Sequence, residues 1–127
     1  MTTAVRVLLV DDQAPFLRAM SAVVNETVGF EVVGAVATGE ESVRAVAELR
    51  PELVLMDVNL PGIDGMEATR QIRAGQSPPV VLLLSTYDED AGERFVTECG
   101  ATAYVTKSAL GPERLHRIWH AATDEEV

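Results

Sequence analysis

The chain has 127 residues, the size of one ordinary domain, and its 47% hydrophobic content is enough for a packed core. The formal net charge of −10 would repel a phosphate backbone, so the composition disfavours direct nucleic-acid binding. No apolar run is long enough to span a bilayer, and the first residues lack a signal-peptide pattern. The single cysteine, Cys99, excludes an internal disulfide and suits a small packing residue. We therefore expect a cytoplasmic protein.

Five short apolar or β-branched segments recur along the chain, and each has the length of a strand. None alternates strictly between apolar and polar residues, which is typical of strands buried on both faces. The predicted strands are residues 5–10, 32–36, 53–56, 80–84 and 101–105.

Helical periodicity fills the stretches between these strands. Thr38 and Glu41 form a capping box at the start of the second helix, and the spacing turns Val43, Val46 and Ala47 inward. The other predicted helices begin near Pro15, at Asp64, at about Asp88 and after Gly111-Pro112.

Strand and helix alternate strictly, which predicts an α/β fold of the (βα)5 type: a doubly wound, parallel five-stranded sheet with helices on both faces. For the flavodoxin-like strand order 2-1-3-4-5, ligands bind beyond the carboxyl ends of the strands, between strands one and three. We predict a single domain over residues 1–127, with its core at about 5–122 and a short acidic tail at 123–127.

Three carboxylates follow the strands that flank this predicted crevice. Asp11 and Asp12 come directly after the first strand, and Asp57 closes the third. Their mutual repulsion would raise their pKa values and destabilise the fold unless a cation neutralised it. All-oxygen ligation with few protein donors suits Mg²⁺, whereas calcium would require more protein oxygens.

Two further polar side chains complete the ring of strand ends. Ser85 ends the fourth strand and Lys107 follows the fifth. Lys107 is the only lysine, and the other nine basic residues are arginines. A lone ammonium at this edge could pair with Asp57 or with a phosphoryl oxygen. The alternative is an ordinary solvated lysine after a strand.

Four segments together resemble the signature segments of the response-regulator receiver domain: VRVLLVDD, LVLMDVNLPGIDG, VVLLLSTYD and GATAYVTK. They occur in the family's order and at its distances, and the resemblance covers the chain from Val5 to about Ala122. The pattern looks most like receivers that are joined to LuxR- or NarL-type helix-turn-helix domains. The resemblance implies the same (βα)5 fold.

It also implies Mg²⁺-dependent transfer of a phosphoryl group to Asp57 from a sensor histidine kinase or a small donor such as acetyl phosphate. Asp12, Asp57 and the backbone carbonyl of Asn59 resemble the direct Mg²⁺ ligands, and Asp11 would act through metal-bound water. Lys107 would neutralise phosphoryl charge. By this resemblance the chain would not be an enzyme but a signalling switch that catalyses its own phosphorylation and dephosphorylation.

The same resemblance implies a conformational switch. Ser85 corresponds to the hydroxyl that binds the new phosphoryl oxygen, and Tyr104 corresponds to the aromatic residue that changes rotamer with it. Asn59, Thr86 and Tyr87 would tune access and turnover. Thr86 stands where the family usually has alanine or glycine, so we expect slower turnover.

Three other features of the sequence support only general expectations: a histidine pair, the tryptophan and the peptide bond after Lys107. His116 and His120 lie four residues apart on the last helix, where two solvated histidines are favoured over a metal pair. Trp119 is expected to pack on the first helix in preference to forming a protein interface. Proline is frequent after the signature lysine, whereas Ser108 follows Lys107 here, so we expect a trans bond.

The implied partners are a sensor kinase, a second copy on phosphorylation, and a downstream protein or a DNA-binding output domain outside this chain. Two other classes of function compete with this interpretation. A Mg²⁺-dependent phosphatase of the haloacid-dehalogenase type would want an aspartate two residues after Asp57, where Asn59 stands. A binding module that works without phosphorylation normally lacks one of the signature residues.

Overall fold

The structure, a computed structural model, describes residues 4–86 and 89–123, without the side chain of Glu89. The strands are β1 (Val5–Val10), β2 (Phe30–Val36), β3 (Leu53–Asp57), β4 (Val80–Ser85) and β5 (Ala103–Thr106). The helices are α1 (Ala14–Glu26), α2 (Gly39–Leu49), α3 (Gly65–Arg73), α4 (Glu89–Cys99) and α5 (Pro112–Thr123). The sheet is parallel with the order β2-β1-β3-β4-β5, which confirms the predicted topology.

Helices cover both faces of the sheet. One apolar cluster joins the sheet to α1 and α5, and the other joins it to α2, α3 and α4. Residues 7–10, 53–57 and 81–85 of the three central strands are buried, which explains their apolar runs without alternation. In the described ranges, no helix has both the length and the apolar character needed to cross a bilayer.

Two strands begin elsewhere than predicted. The edge strand β2 begins two residues early, at Phe30, because the exposed Glu31 interrupts the apolar pattern although its backbone pairs with Arg6. Strand β5 begins two residues late, at Ala103. Gly100, with a φ of 81°, turns the chain after α4 before pairing begins.

The ends of α2 agree with the sequence, but one of its predicted inward residues does not. Thr38 Oγ1 accepts a hydrogen bond from Glu41 N at 3.0 Å, as the capping box requires. Val43 and Val46 pack against the core, whereas Ala47 is exposed and Ala45 is buried. The prediction for Ala47 is therefore wrong. The buried face of α2 includes Ser42 and Ala45, and Ala47 lies outside it.

Two side chains were predicted to pack within the protein, and both do, although the ring that Trp119 meets belongs to β2 and not to α1. Trp119 is partly buried in the core and meets the ring of Phe30 edge-on, with 6.1 Å between ring centroids. Cys99 is buried, and burial raises the pKa of its thiol, so it is an inert packing residue.

Candidate functional site

The carboxyl ends of the strands gather the predicted site residues at one edge of the sheet. Asp11 directly follows β1, and Asp57 ends the neighbouring strand β3. The helices that follow these two strands, α1 and α3, pack on opposite faces of the sheet, so a crevice opens between them. Ser85 ends β4 and pairs with Thr106, the residue before Lys107.

Three carboxylates meet in this crevice. One oxygen from each of Asp11, Asp12 and Asp57 lies within 4.8 Å of the others. Asp11 and Asp57 are buried, whereas Asp12 is exposed. Backbone N–H groups orient the buried pair: Gln13 donates to Asp11 Oδ1 at 2.9 Å, and Asn59 donates to Asp57 Oδ1 at 3.3 Å. The predicted convergence of the three carboxylates is confirmed.

Lys107 is part of this cluster and not a solvated surface residue. Its Nζ lies 2.8 Å from Asp11 Oδ2 and 3.5 Å from Asp57 Oδ2, and only 7% of its side chain is exposed. The sequence pointed to Asp57 as the partner, but Asp11 is the nearer carboxylate. Because these groups are buried, water screens their attraction less than it would at the surface.

The fold holds Asp57 in an environment that opposes its charge. Its pKa is raised from 3.8 to about 6. Burial is the largest cause and the negative charge of Asp11 adds to it, whereas Lys107 and the N–H of Asn59 act in the opposite direction. Asp57 is therefore ionised at neutral pH, but at a cost in free energy that a further positive charge would relieve.

The donor set fits a hard divalent cation. Asp11 Oδ2 is buried and, among the described residues, accepts no hydrogen bond; the ammonium of Lys107 compensates it by charge. A buried oxygen of this kind beside two further carboxylates is the environment that an oxygen-ligated cation completes. The three carboxylates are hard oxygen donors of the kind that suits Mg²⁺, and none of them is a soft ligand of the type that favours zinc.

Gly65 lets α3 start directly against the backbone of Asp57. A Cβ atom at this position would overlap the Asp57 carbonyl oxygen, and Gly65 N donates to the Val58 carbonyl at 2.9 Å. The glycine therefore sets the position of the chain segment that carries Asp57. Sequence reasoning missed this role; the available signal was the glycine after the N-cap Asp64, in the loop that follows Asp57.

The two predicted switch residues lie on neighbouring strands. Ser85 is fully buried at the end of β4, and Tyr104 is half-buried on β5. The Tyr104 ring packs edge-on against Phe95, with 6.0 Å between centroids, and covers Gly92 in α4. A Cβ atom at residue 92 would overlap this ring, so the helical glycine makes room for Tyr104.

Two of the three residues predicted to tune access are exposed. Asn59 and Thr86 are exposed next to Asp57 and Ser85, and Tyr87 lies outside the described residues. No peptide bond in the described ranges is cis, so the bond after Lys107 is trans, as expected.

The histidines of α5 lie apart from this site. The rings of His116 and His120 have centroids 4.3 Å apart, and both side chains are exposed. Within the described part of the chain, no third metal-ligating side chain joins them. The expectation of a solvated pair is confirmed.

Residues 7–119 match the family of the response regulator receiver domain. The chain is 35% identical over 121 residues to the transcriptional regulatory protein LiaR of Bacillus subtilis, covering 95% of this chain and 57% of LiaR. It is 35% identical over 105 residues to a protein-glutamate methylesterase/protein-glutamine glutaminase of Shewanella frigidimarina, covering 82% of this chain and 26% of that protein.

A solved structure shares both fold and sequence with this chain. The crystal structure of a LuxR-family two-component response regulator from Aurantimonas sp. superposes with a TM-score of 0.83 at 32% identity, covering 94% of this chain and 84% of that one. The chain spans only about half the length of several curated relatives, 57% of LiaR and 53% of the response regulator GacA. The matched region is thus the part that regulators with different remaining segments share.

Proposed function

Because the chain belongs to the response regulator receiver domain family, we propose that Asp57 is its phosphoacceptor, with a sensor histidine kinase or a small donor such as acetyl phosphate supplying the phosphoryl group. The observation that carries the proposal is the buried, ionisable Asp57 beside the Lys107 ammonium, at the carboxyl edge of the sheet. A receiver domain is a signalling switch, and the proposal makes its self-catalysed phosphorylation and dephosphorylation the only chemistry of this chain.

In this mechanism an oxygen of Asp57 attacks the phosphorus atom. The new P–O bond forms as the bond from phosphorus to the donor breaks, and the leaving group keeps the electron pair. Attack requires the ionised carboxylate, which a pKa of about 6 provides at neutral pH. Lys107, 3.5 Å from Asp57 Oδ2, is placed to neutralise charge on the transferred group.

The proposed Mg²⁺ ligands are Asp12, Asp57 and the backbone carbonyl of Asn59, with Asp11 acting through metal-bound water. Asp11 Oδ2 already lies against Lys107, whereas Asp12 is exposed, which supports this division of roles. When bound, Mg²⁺ supplies charge neutralisation for the equatorial phosphoryl oxygens and for the carboxylates themselves.

We propose that phosphorylation also changes the structure at a distance from the site, where Tyr104 of β5 packs against α4. Ser85 would donate its hydroxyl hydrogen to a phosphoryl oxygen on Asp57, and Tyr104 would change its packing in response. The burial of Ser85 and the half-buried ring of Tyr104 support these roles. Asn59, Thr86 and Tyr87 would control the approach of donor and water.

We further propose that the chain forms one receiver unit that works in the cytoplasm and passes its signal to protein partners. LiaR, a transcriptional regulatory protein, is covered to only 57% by this chain, which supports a DNA-binding output domain as the partner, either covalently attached or replaced by a separate protein. In this proposal, phosphorylation also promotes pairing with a second copy of the chain. The net charge of −10 supports the view that this segment does not itself bind nucleic acid.

Intact-mass analysis after incubation with acetyl phosphate and Mg²⁺ tests the proposal. We expect one added phosphoryl group on the wild type, and none on Asp57→Asn or after chelation. Asp90→Asn, which removes an exposed carboxylate from α4, is the matched charge control and should be phosphorylated normally. The proposal would be contradicted if neither acetyl phosphate nor a histidine kinase phosphorylated the chain and beryllofluoride did not bind to it. That result would favour a binding module that works without phosphorylation.

A further inference from the structure

The ammonium of Lys107 has an aromatic neighbour in addition to its two carboxylates. Its Nζ lies 3.9 Å from the centroid of the Phe16 ring, over the ring face. Phe16 is in the first turn of α1, which begins two residues after Asp12. The helix that follows the acidic cluster therefore also supplies the ring that contacts the cluster's cation.

We propose that Phe16 is a positioning residue for Lys107, holding the ammonium against Asp11 and Asp57 through a cation–π contact. The inference rests on the proposed function in one respect: Lys107 must meet the incoming phosphoryl group. The contact itself does not depend on phosphorylation.

The physical basis is the geometry around one compact charge. An ammonium has three N–H groups on a flexible four-carbon stem, so two carboxylates on one side leave its position poorly defined. The negative face of the Phe16 ring attracts the ammonium from a further direction without competing for its protons as an oxygen acceptor would. With 7% of the Lys107 side chain exposed, little water remains to replace that contact.

A small cavity beside the ring shows what a smaller side chain would change. Phe16, Met20, Leu110 and Lys107 are among the residues that line this space of about 50 Å³, whose walls are mainly apolar. Leucine at position 16 would enlarge the cavity and remove the ring. The stem of Lys107 would then be free to shift into the enlarged cavity, because the ring would no longer attract the ammonium or pack against the stem, and only the two carboxylates would hold it.

Kinetics of phosphorylation by acetyl phosphate with Mg²⁺ provide the first measurement. We expect Phe16→Leu to slow phosphorylation about fivefold, the change that corresponds to about 1 kcal/mol, a typical cation–π free energy. Phe16→Tyr keeps the ring face and should stay within about twofold of wild type. Phe30→Leu makes the same chemical change at a buried ring packed on Trp119, and so controls for lost stability.

The single lysine of the chain makes a second measurement unambiguous, because a protein labelled at lysine has one side-chain signal set. Protons near Nζ that lie over a ring face are shifted upfield by the ring current. We expect this upfield shift in wild type and Phe16→Tyr and its loss in Phe16→Leu, with Phe30→Leu unchanged.

The two measurements separate the inference from the proposed function. In a Lys107→Met background, Phe16→Leu should slow phosphorylation no further; an equal slowing there would overturn a role through Lys107. An unshifted lysine signal in wild type, or a wild-type rate for Phe16→Leu, would also overturn the inference. If wild type accepts no phosphoryl group, the proposed function and the kinetic role both fail, and the lysine spectrum alone decides the contact.

Discussion

Replacing Asp57 by asparagine should stabilise the protein when no divalent cation is present, although it removes the proposed phosphoacceptor. The carboxylate is ionised at neutral pH while buried beside Asp11, and asparagine removes that charge at nearly constant volume. The amide oxygen can still accept the hydrogen bond from Asn59 N. Asparagine therefore removes two destabilising effects, the repulsion from Asp11 and the free-energy cost of burying a charge. Together they outweigh the one favourable effect that is lost, the attraction to Lys107.

The magnitude follows from the pKa of Asp57. A rise from 3.8 to about 6 corresponds to about 3 kcal/mol of free energy of unfolding lost at pH 7, and this value includes the favourable effect of Lys107. The side chain is 5% exposed, so solvent screening reduces the figure little. At roughly 4 °C per kcal/mol for a chain of this length, Asp57→Asn should raise the unfolding midpoint by about 10 °C.

The effect must depend on pH in a defined direction. Above about pH 6 Asp57 is charged in both the folded and the unfolded protein, so the full cost is present. Between about pH 6 and 3.8 the folded protein binds the proton more tightly, and the cost declines as the pH falls. The stabilisation by Asp57→Asn should therefore be largest at pH 7 and nearly gone at pH 4.

Thermal unfolding followed by circular dichroism in a chelator, at pH 7 and pH 4, measures both effects. Asp90→Asn removes one exposed carboxylate and should not raise the midpoint. Saturating Mg²⁺ should then raise the wild-type midpoint more than that of Asp57→Asn. Equal midpoints for wild type and Asp57→Asn at pH 7, or a difference that persists undiminished at pH 4, would refute the argument from buried charge.

Three further substitutions test other parts of the structure. Gly65→Ala should lower the unfolding midpoint and weaken Mg²⁺ binding measured by calorimetry, because its methyl group displaces the Asp57 backbone; unchanged Mg²⁺ affinity would contradict this. Gly92→Ala should expel the Tyr104 ring and lose ring contacts in nuclear Overhauser spectra, yet stabilise α4 once Tyr104→Ala has removed that ring. Thr86→Ala should lose its phosphoryl group faster than wild type, and an equal lifetime would show that the Thr86 side chain does not hinder water.

The strand and helix pattern was readable from sequence where local chemistry specifies it. The buried central strands appear in the sequence as continuous apolar runs. The capping residue Thr38 marks the start of α2. The start of β2 was not readable, because an exposed edge residue such as Glu31 pairs through its backbone and leaves no apolar signal. Whether Ala45 or Ala47 faces the core depends on how α2 is rotated about its axis against the sheet. The apolar residues of α2 are compatible with more than one such rotation, so the sequence does not decide between them.

The sequence by itself determined the (βα)5 fold and the gathering of Asp11, Asp57, Ser85 and Lys107, because parallel strands bring their carboxyl ends to one edge. Only the tertiary structure decided that Lys107 lies nearer to Asp11 than to Asp57 and over the ring of Phe16. Those contacts depend on how closely α1 and the strand ends pack, because the two distances from the ammonium, 2.8 and 3.5 Å, differ by less than the width of an atom. Spacing along the chain carries no information at that scale, since the stem of a lysine can reach either carboxylate.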